Sequence, residues 1–128
     1  MSSKLVTAYL CVEKMDRAIE FWENFLDKKV VSRFQDRWAD FGIKDGINIG
    51  LYRPGFDNWE ARLGDNVVLN FKTDDIQTEY ARVKKLNPKN ISKIQFINFM
   101  LPYHFFQVVD TEGNTFEIAQ WEDKGNSK

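Results

Sequence analysis

The chain has 128 residues, of which 43% are hydrophobic and 29% are charged, and its formal net charge is −1. This composition is typical of one globular domain, residues 1–128, and argues against a disordered chain. The balanced charge argues against partners such as nucleic acid or an anionic membrane, because both attract a strongly basic surface.

The cysteine content and the lengths of the apolar segments indicate the cellular compartment of the protein. Cys11 is the only cysteine, so an intrachain disulfide is excluded. The chain begins without an apolar stretch of the signal-peptide kind, and no segment has the roughly 18 apolar residues of a membrane span. We therefore expect a cytoplasmic protein.

The first two predicted elements are a strand and a helix. Residues 5–12 alternate between apolar and more polar side chains, which is the period of a strand with one buried face. In residues 15–26 the apolar side chains recur every three or four positions, which predicts an amphipathic helix. The apolar helix positions are Met15, Ile19, Trp22 and Phe25.

Three strands and a linker are predicted next. The strands cover residues 29–35, 37–43 and 47–53. Asp45-Gly46 is a hairpin signal between the last two strands, and Pro54-Gly55 ends the run. The first unit thus spans residues 4–54, and the Gly, Asp and Asn residues of 55–65 predict a linker.

The same order of elements is predicted again in residues 66–122. A strand at 66–72 precedes a helix at 76–86, and Asp74-Asp75 can cap the N-terminus of that helix. Three strands follow, at 91–101, 103–109 and 115–121. Glu112-Gly113 is the turn between the last two strands, and residues 123–128 are expected to be a flexible tail.

Fixed offsets relate the two halves. The apolar positions of the first helix recur 61 residues later, at Ile76, Tyr80, Val83 and Leu86. The turn Asp45-Gly46 recurs 67 residues later as Glu112-Gly113. Two coincidences in the same order predict an internal duplication. The predicted fold is therefore α+β, built from two β-α-β-β-β units.

The alternation also divides the strand residues between two faces. One face is mostly apolar and is expected to pack on the helices; Val6, Ile47 and Val67 are assigned to it, and so is the only histidine, His104. The opposite face mixes polar and aromatic side chains. Such a face suits a wall around a ligand better than a dry core.

Two segments resemble motifs of the vicinal oxygen chelate superfamily, which includes glyoxalases, bleomycin-resistance proteins and extradiol dioxygenases. Residues 12–22, Val-Glu-Lys-Met-Asp-Arg-Ala-Ile-Glu-Phe-Trp, are similar to its first strand-to-helix passage. Residues 110–118, Asp-Thr-Glu-Gly-Asn-Thr-Phe-Glu-Ile, look like its closing hairpin, with Thr111 at the usual proline. The resemblance covers nearly the whole chain. It implies that the two units pair into a curved mixed-sheet cup with helices outside, and that the protein forms a homodimer.

Enzymes of that superfamily place metal ligands at four strand positions, typically as His, Gln or Glu. The positions that correspond here are Thr7, Gly50, Val68 and Glu117. A catalytic divalent metal generally takes three protein ligands, and only Glu117 has a suitable side chain. The resemblance therefore implies no metal and no cofactor in this chain.

A ligand site is predicted on the cup face. Its candidate residues are Thr7, Tyr9, Trp38, Asn48, Tyr52, Asn70, Phe105, Glu117 and Trp121. The aromatic members could stack on a planar or cationic ligand, or else fill a closed cup or a dimer contact. Glu117 is a candidate catalytic base or a counter-ion for a cation, or else a structural carboxylate.

Three functions are compatible with these residues. The first is metal-independent binding of a small aromatic or cationic organic molecule, akin to the antibiotic-sequestering branch of the superfamily. The second is a metal-dependent lyase, isomerase or dioxygenase of the same superfamily. The third is an interaction module with a closed cup. The predicted partners are a small-molecule ligand and a second copy of the chain, with no nucleic acid and no membrane.

Overall fold

The computed structural model of this protein describes residues 4–42, 46–61, 67–98 and 102–122. Its helices and strands form where the sequence shows amphipathic periodicity and strand alternation. The chain divides into two compact units. The first comprises Met1–Leu63 with Thr111–Asn114, and the second comprises Gly64–Asp110 with Thr115–Lys128. Asp45 of the predicted turn, the end of the predicted linker and the predicted tail at 123–128 lie outside the described residues.

Helix α1 spans Met15–Leu26, the range that the apolar spacing predicts. The predicted apolar positions are all buried. Asp27 ends the helix in the left-handed conformation, with a φ of 54°, a common way for a helix to stop. The helix thus presents one apolar stripe to its own unit.

The N-terminus of α1 is capped by Glu112, which belongs to the same unit. The Oε1 atom of Glu112 accepts hydrogen bonds from the backbone N–H of Glu13 at 2.8 Å and of Lys14 at 2.9 Å. Arg17 Nε donates to Oε2 at 2.6 Å. Burial alone raises the pKa of Glu112, but the hydrogen bonds from Arg17, from these backbone N–H groups and from Thr111 outweigh it and hold the pKa at about 2.

The sheet of the first unit is mixed. Its strands are β1 (Thr7–Cys11), β2 (Ser32–Phe34), β3 (Trp38–Asp40) and β4 (Asn48–Tyr52), in the order β1-β4-β3-β2. Strands β1 and β4 are parallel and the other pairs are antiparallel. Helix α1 contacts β4, and the apolar side of the sheet is buried through Ala39, Phe41, Ile49 and Leu51.

The second unit repeats this topology. It contains β5 (Leu69–Lys72), α2 (Ile76–Lys84), β6 (Asn90–Ile91), β7 (Gln95–Ile97), β8 (Tyr103–Val109) and β9 (Thr115–Trp121). The strand order is β5-β9-β8-β6, with β7 also paired to β8. As in the first unit, the first and last strands are parallel neighbours. The α+β class and the repeated unit are therefore confirmed.

The predicted strand at 91–101 is wrong in its middle. Two short strands, β6 and β7, replace it, because Ser92 interrupts the ladder between them. The Ser92 hydroxyl accepts the hydrogen bond of the Gln107 N–H at 2.9 Å, and the Ser92 N–H donates to the Gln107 carbonyl. A side chain thus takes the place of a backbone acceptor.

Three apolar residues assigned to the helix-facing sides are exposed instead. Val6 is 62% exposed, Ile47 43% and Val67 74%. Val6 and Ile47 lie one residue before their strands, which begin at Thr7 and Asn48, and Val67 lies two residues before Leu69, where β5 begins. Alternation therefore identifies the right side of the sheet, but burial begins only where the strand is paired.

His104 lies on the helix-facing side of β8, as predicted. It has the same parity as Phe106, whose ring contacts Tyr80 of α2 at a centroid distance of 4.9 Å. Its Nδ1 atom lies 3.8 Å from Glu122 Oε2.

Of the helices in the described ranges, none is both long and apolar enough to cross a membrane.

Candidate functional site

The polar and aromatic face of the first sheet is set by its strand register. Thr7 lies opposite Asn48 in the parallel pair β1-β4, and Tyr9 follows on the same side. Trp38 lies opposite Tyr52 in the antiparallel pair β3-β4. Cross-strand partners point to the same side of a sheet. The register therefore brings the candidate ligand residues of the first half onto one surface, on the side away from α1.

Three of these residues form what we call the aromatic corner: Tyr9, Trp38 and Tyr52. The Tyr9 ring meets Trp38 edge-to-face at 5.5 Å and 73°, and it meets Tyr52 at 5.8 Å and 82°. Trp59 extends the group, with its ring centroid 6.0 Å from that of Tyr52. Tyr9 is 53% exposed, so the corner presents aromatic surface that a planar or cationic molecule could contact.

Trp38 is fixed in place by its neighbours. Its Nε1 donates a hydrogen bond to Asp40 Oδ2 at 2.8 Å. Its ring lies so close to Gly50 that an added Cβ there would fall 2.6 Å from Trp38 Cζ2. A glycine is needed at this position because only a bare backbone admits such an approach. The indole therefore covers a position that the superfamily resemblance assigns to a metal ligand.

Tyr52 is anchored through Asp57. The Tyr52 hydroxyl donates to Asp57 Oδ2 at 2.6 Å, and Arg37 Nε donates to the same oxygen at 2.8 Å. The Arg37 guanidinium also lies over the Tyr52 ring, 5.5 Å from its centroid. The hydrogen bond to Asp57 raises the pKa of Tyr52, and the same bond lowers the pKa of Asp57. Tyr52 is therefore a neutral phenol and a poor proton acceptor near neutral pH.

The corresponding face of the second sheet carries Glu117. Asn70 lies opposite Glu117 in the pair β5-β9 and donates its Nδ2 hydrogen bond to Glu117 Oε1 at 2.6 Å. Gln107 lies opposite Glu117 on the other flank, in β8. Amide residues thus lie on both flanks of the carboxylate, and Lys72, two residues after Asn70 in β5, is on the same face.

Aromatic residues flank Glu117 on the same side of β8 and β9. Tyr103 lies opposite Trp121 and stacks on it at 5.4 Å and 29°. Phe105 follows Tyr103 on that side, with ring centroids 5.6 Å apart. Phe105 is buried whereas Trp121 is partly exposed. Of these two predicted ligand residues, Trp121 has the more accessible surface.

Asp40 is not among the residues predicted from the sequence, although it lies on the same face. It is cross-strand partner to Gly50, and it has the parity of Trp38, two residues earlier in β3. The Trp38-Ala39-Asp40 alternation contains this signal, because residues i and i+2 of a strand share a side. Asp40 therefore adds a carboxylate beside the aromatic corner.

The side chains at the superfamily's metal-ligand positions do not fit a metal ion. Thr7, Gly50 and Val68 are poor ligands, and Gly50 lies under the Trp38 indole. Glu117 already accepts a hydrogen bond from Asn70. Across the described ranges, no group of three or more His, Cys, Asp or Glu side chains could hold a metal ion.

Cys11 is a weak candidate nucleophile. It lies opposite Tyr52 in the β1-β4 pair and is partly buried. Burial raises the pKa of its thiol, and a thiol with a raised pKa holds little of the reactive thiolate at neutral pH. Its position is consistent with a packing role.

A cavity of about 480 Å³ lies beside the N-terminus of α1 in the first unit, lined by residues 13–17, Asp36 and Arg53. Acidic and basic side chains both line it, and Arg33 forms ion pairs with Asp16 at 2.8 Å and with Asp36 at 2.9 Å. The candidate ligand residues lie elsewhere. The mixed charges give this cavity no preference for a ligand of one sign.

Comparison with known proteins identifies the fold. Neither a protein-family model nor a curated protein sequence matches this chain. A solved structure of a glyoxalase/bleomycin resistance protein/dioxygenase family enzyme from Burkholderia phytofirmans matches with a TM-score of 0.76 and 12% identity, over 92% of this chain and 98% of that chain. This chain has the glyoxalase/bleomycin-resistance fold.

Further structures with the glyoxalase/bleomycin-resistance fold match over similar lengths. A glyoxalase/bleomycin resistance protein from Albidiferax ferrireducens has a TM-score of 0.74 and 12% identity, over 92% of this chain and 99% of that chain. A lactoylglutathione lyase from Agrobacterium tumefaciens has a TM-score of 0.71 and 14% identity, over 94% of this chain and 95% of that chain. At these identities the likeness concerns the fold, which hosts more than one activity.

Proposed function

We propose that this protein binds a small organic molecule of aromatic or cationic character, without a metal ion, at the polar and aromatic strand faces that carry the predicted ligand residues. The observation that carries the proposal is the aromatic corner. Hydrogen bonds hold Trp38 and Tyr52 in fixed positions while Tyr9 keeps half of its surface exposed. Rings that are already ordered bind a ligand with little further loss of side-chain entropy.

The charge distribution supports a neutral or cationic ligand over an anionic one. Glu117 on the second unit and Asp40 on the first place carboxylates on the polar and aromatic faces. Arg37 lies near the aromatic corner, but Asp57 accepts its hydrogen bond and pairs its charge. In this proposal Glu117 and Asp40 are the two candidate charge partners of the ligand, and a catalytic role for Glu117 as a base is an extension of the same function.

A metal-dependent lyase, isomerase or dioxygenase is the second candidate, and it is favoured by the lactoylglutathione lyase among the structures of this fold. It would have to use Glu117 together with other side chains than those at the superfamily positions. Metal analysis of the purified protein distinguishes the two functions, because a catalytic site retains about one equivalent of tightly bound metal. An interaction module with a closed cup would bind neither metal nor small molecule.

Thermal unfolding in the presence of small aromatic amines tests the proposed function. A ligand that binds only the native state raises Tm with its concentration. Tyr9→Ala should raise the Kd of the ligand roughly fivefold, because about 1 kcal/mol of aromatic contact is lost, and it should therefore reduce the rise in Tm. Phe96→Ala is a matched control, since Phe96 is an exposed ring on the helix-facing side of β7, opposite His104.

Two results would count against this function. One is that no aromatic amine raises Tm at millimolar concentration. The other is that Tyr9→Ala and Phe96→Ala weaken the stabilisation equally, which would place the ligand away from the aromatic corner.

A further inference from the structure

Among the described residues of its own unit, Asp40 accepts hydrogen bonds only from uncharged groups. Its Oδ2 accepts the Trp38 Nε1 hydrogen bond at 2.8 Å, and its Oδ1 accepts the Gly42 N–H at 3.1 Å. Both donors are neutral. Within the described part of the chain, no basic side chain forms an ion pair with this carboxylate. Partly buried carboxylates are usually paired with a cation, so the position is suited to an external one.

The neighbouring rings strengthen the attraction for a cation. The hydrogen bond from Trp38 Nε1 to a carboxylate draws electron density toward the indole ring, and tryptophan is the aromatic residue that attracts cations best. Tyr9 and Tyr52 add two more rings within 6 Å of one another. The site therefore combines a formal negative charge with aromatic surface.

The duplication places a second carboxylate at the equivalent point of the other unit. Asp40 is paired across the strands with Gly50, and Gln107 is paired with Glu117. These are corresponding pairs of strands in the repeat, β3-β4 and β8-β9. In the first unit the acidic residue of the pair is Asp40, on β3. In the second unit it is Glu117, on β9. Each unit thus has a carboxylate at this cross-strand pair, although the acidic residue has changed strand.

We propose that Asp40, with Tyr9 and Trp38, binds the positively charged group of the ligand, and that this group is a substituted ammonium. The inference rests on the proposed function and assigns the ligand's cationic end to the first unit. A single carboxylate among aromatic rings offers too few oxygen ligands for a hard metal ion. It matches the shape and weak hydration of an alkylated ammonium, which contacts ring faces through its methyl groups.

The test is a titration of the whole chain with choline and, separately, with 3,3-dimethylbutan-1-ol, its neutral carbon isostere. The Trp38 indole N–H resonance reports binding, and it is assigned by its loss in Trp38→Phe. Choline should shift this resonance saturably, and the neutral isostere should bind at least about tenfold more weakly. The two probes are compared on the unmodified protein, and a variant is needed only to assign the resonance.

Variants then locate the charge. Asp40→Asn should weaken choline binding about tenfold. Asp36→Asn, which removes an exposed carboxylate paired with Arg33, should leave it unchanged. Equal binding of choline and its isostere, or no effect of Asp40→Asn, would overturn the assignment.

The experiments distinguish an error in the proposed function from an error in the role of Asp40. If choline binds and only Glu117→Gln weakens it, the ligand site stands and Asp40 is not its cation partner. If neither probe binds and no aromatic amine stabilises the protein, both proposals are wrong.

Discussion

At the scale of a single residue, Glu112 stabilises the start of α1. Its side chain accepts hydrogen bonds from two backbone N–H groups at the start of α1 and from the Arg17 guanidinium. Lys14, the residue that precedes the helix, makes no capping hydrogen bond with its own side chain. A carboxylate distant in sequence therefore replaces the local cap.

This carboxylate should make stability depend on pH. Its pKa is lowered to about 2 from an ordinary value of 4.5, so its contribution is present above about pH 4.5 and is lost as the pH falls toward 2. Glu112→Gln should lower the free energy of unfolding at neutral pH by roughly 2 kcal/mol, less than the full linkage value because Arg17 is half-exposed and its charge is screened. Urea unfolding at neutral and acidic pH measures the difference between the two proteins. The difference should shrink in acid, and a constant difference would contradict the account.

Residue-level patterns in the sequence anticipate part of the candidate site. Tyr9, Trp38 and Tyr52 share a face because of strand parity, which alternation alone reveals. The contact between Trp38 and Gly50 depends on strand register, and the neutral partner of Asp40 among the described residues depends on an individual hydrogen bond. Neither follows from residue type or spacing.

At the scale of elements, the helices are predicted best and the short strands worst. Helix α1 has the predicted bounds, because twelve residues of regular apolar spacing leave little ambiguity. The segment 91–101 also reads as one strand, but Ser92 competes with the backbone for the Gln107 N–H and divides it. Side-chain competition of this kind has no periodic signal.

Helix α2 should depend on its N-terminal residue. Asp75 accepts hydrogen bonds from the Thr78 N–H at 3.1 Å and from the Thr78 hydroxyl at 2.8 Å. Asp75→Ala should lower the free energy of unfolding by about 1 kcal/mol. Asp74→Ala is the control, because the hydrogen bond from Gln120 is accepted by the Asp74 backbone carbonyl, which the substitution keeps. Chemical denaturation compares them, and equal losses would show that the cap is unimportant.

At the scale of the whole molecule, the duplication organises the candidate site. In both units the first and last strands are parallel neighbours in the sheet, so equivalent strands occupy equivalent places on the two polar and aromatic faces. The offsets that reveal the repeat in the sequence also locate Glu117 and the aromatic faces. The pairing of the two units into a cup and the formation of a homodimer stay predictions, because both depend on contacts beyond a single unit.

The central claim is that an organic ligand binds through carboxylates and aromatic rings without a metal ion. Calorimetric titration with benzyltrimethylammonium, before and after treatment with a chelator and with metal content measured, tests it most directly. We predict saturable binding with the same Kd in both samples. Binding that disappears with the chelator and returns when a divalent metal is added would contradict the claim.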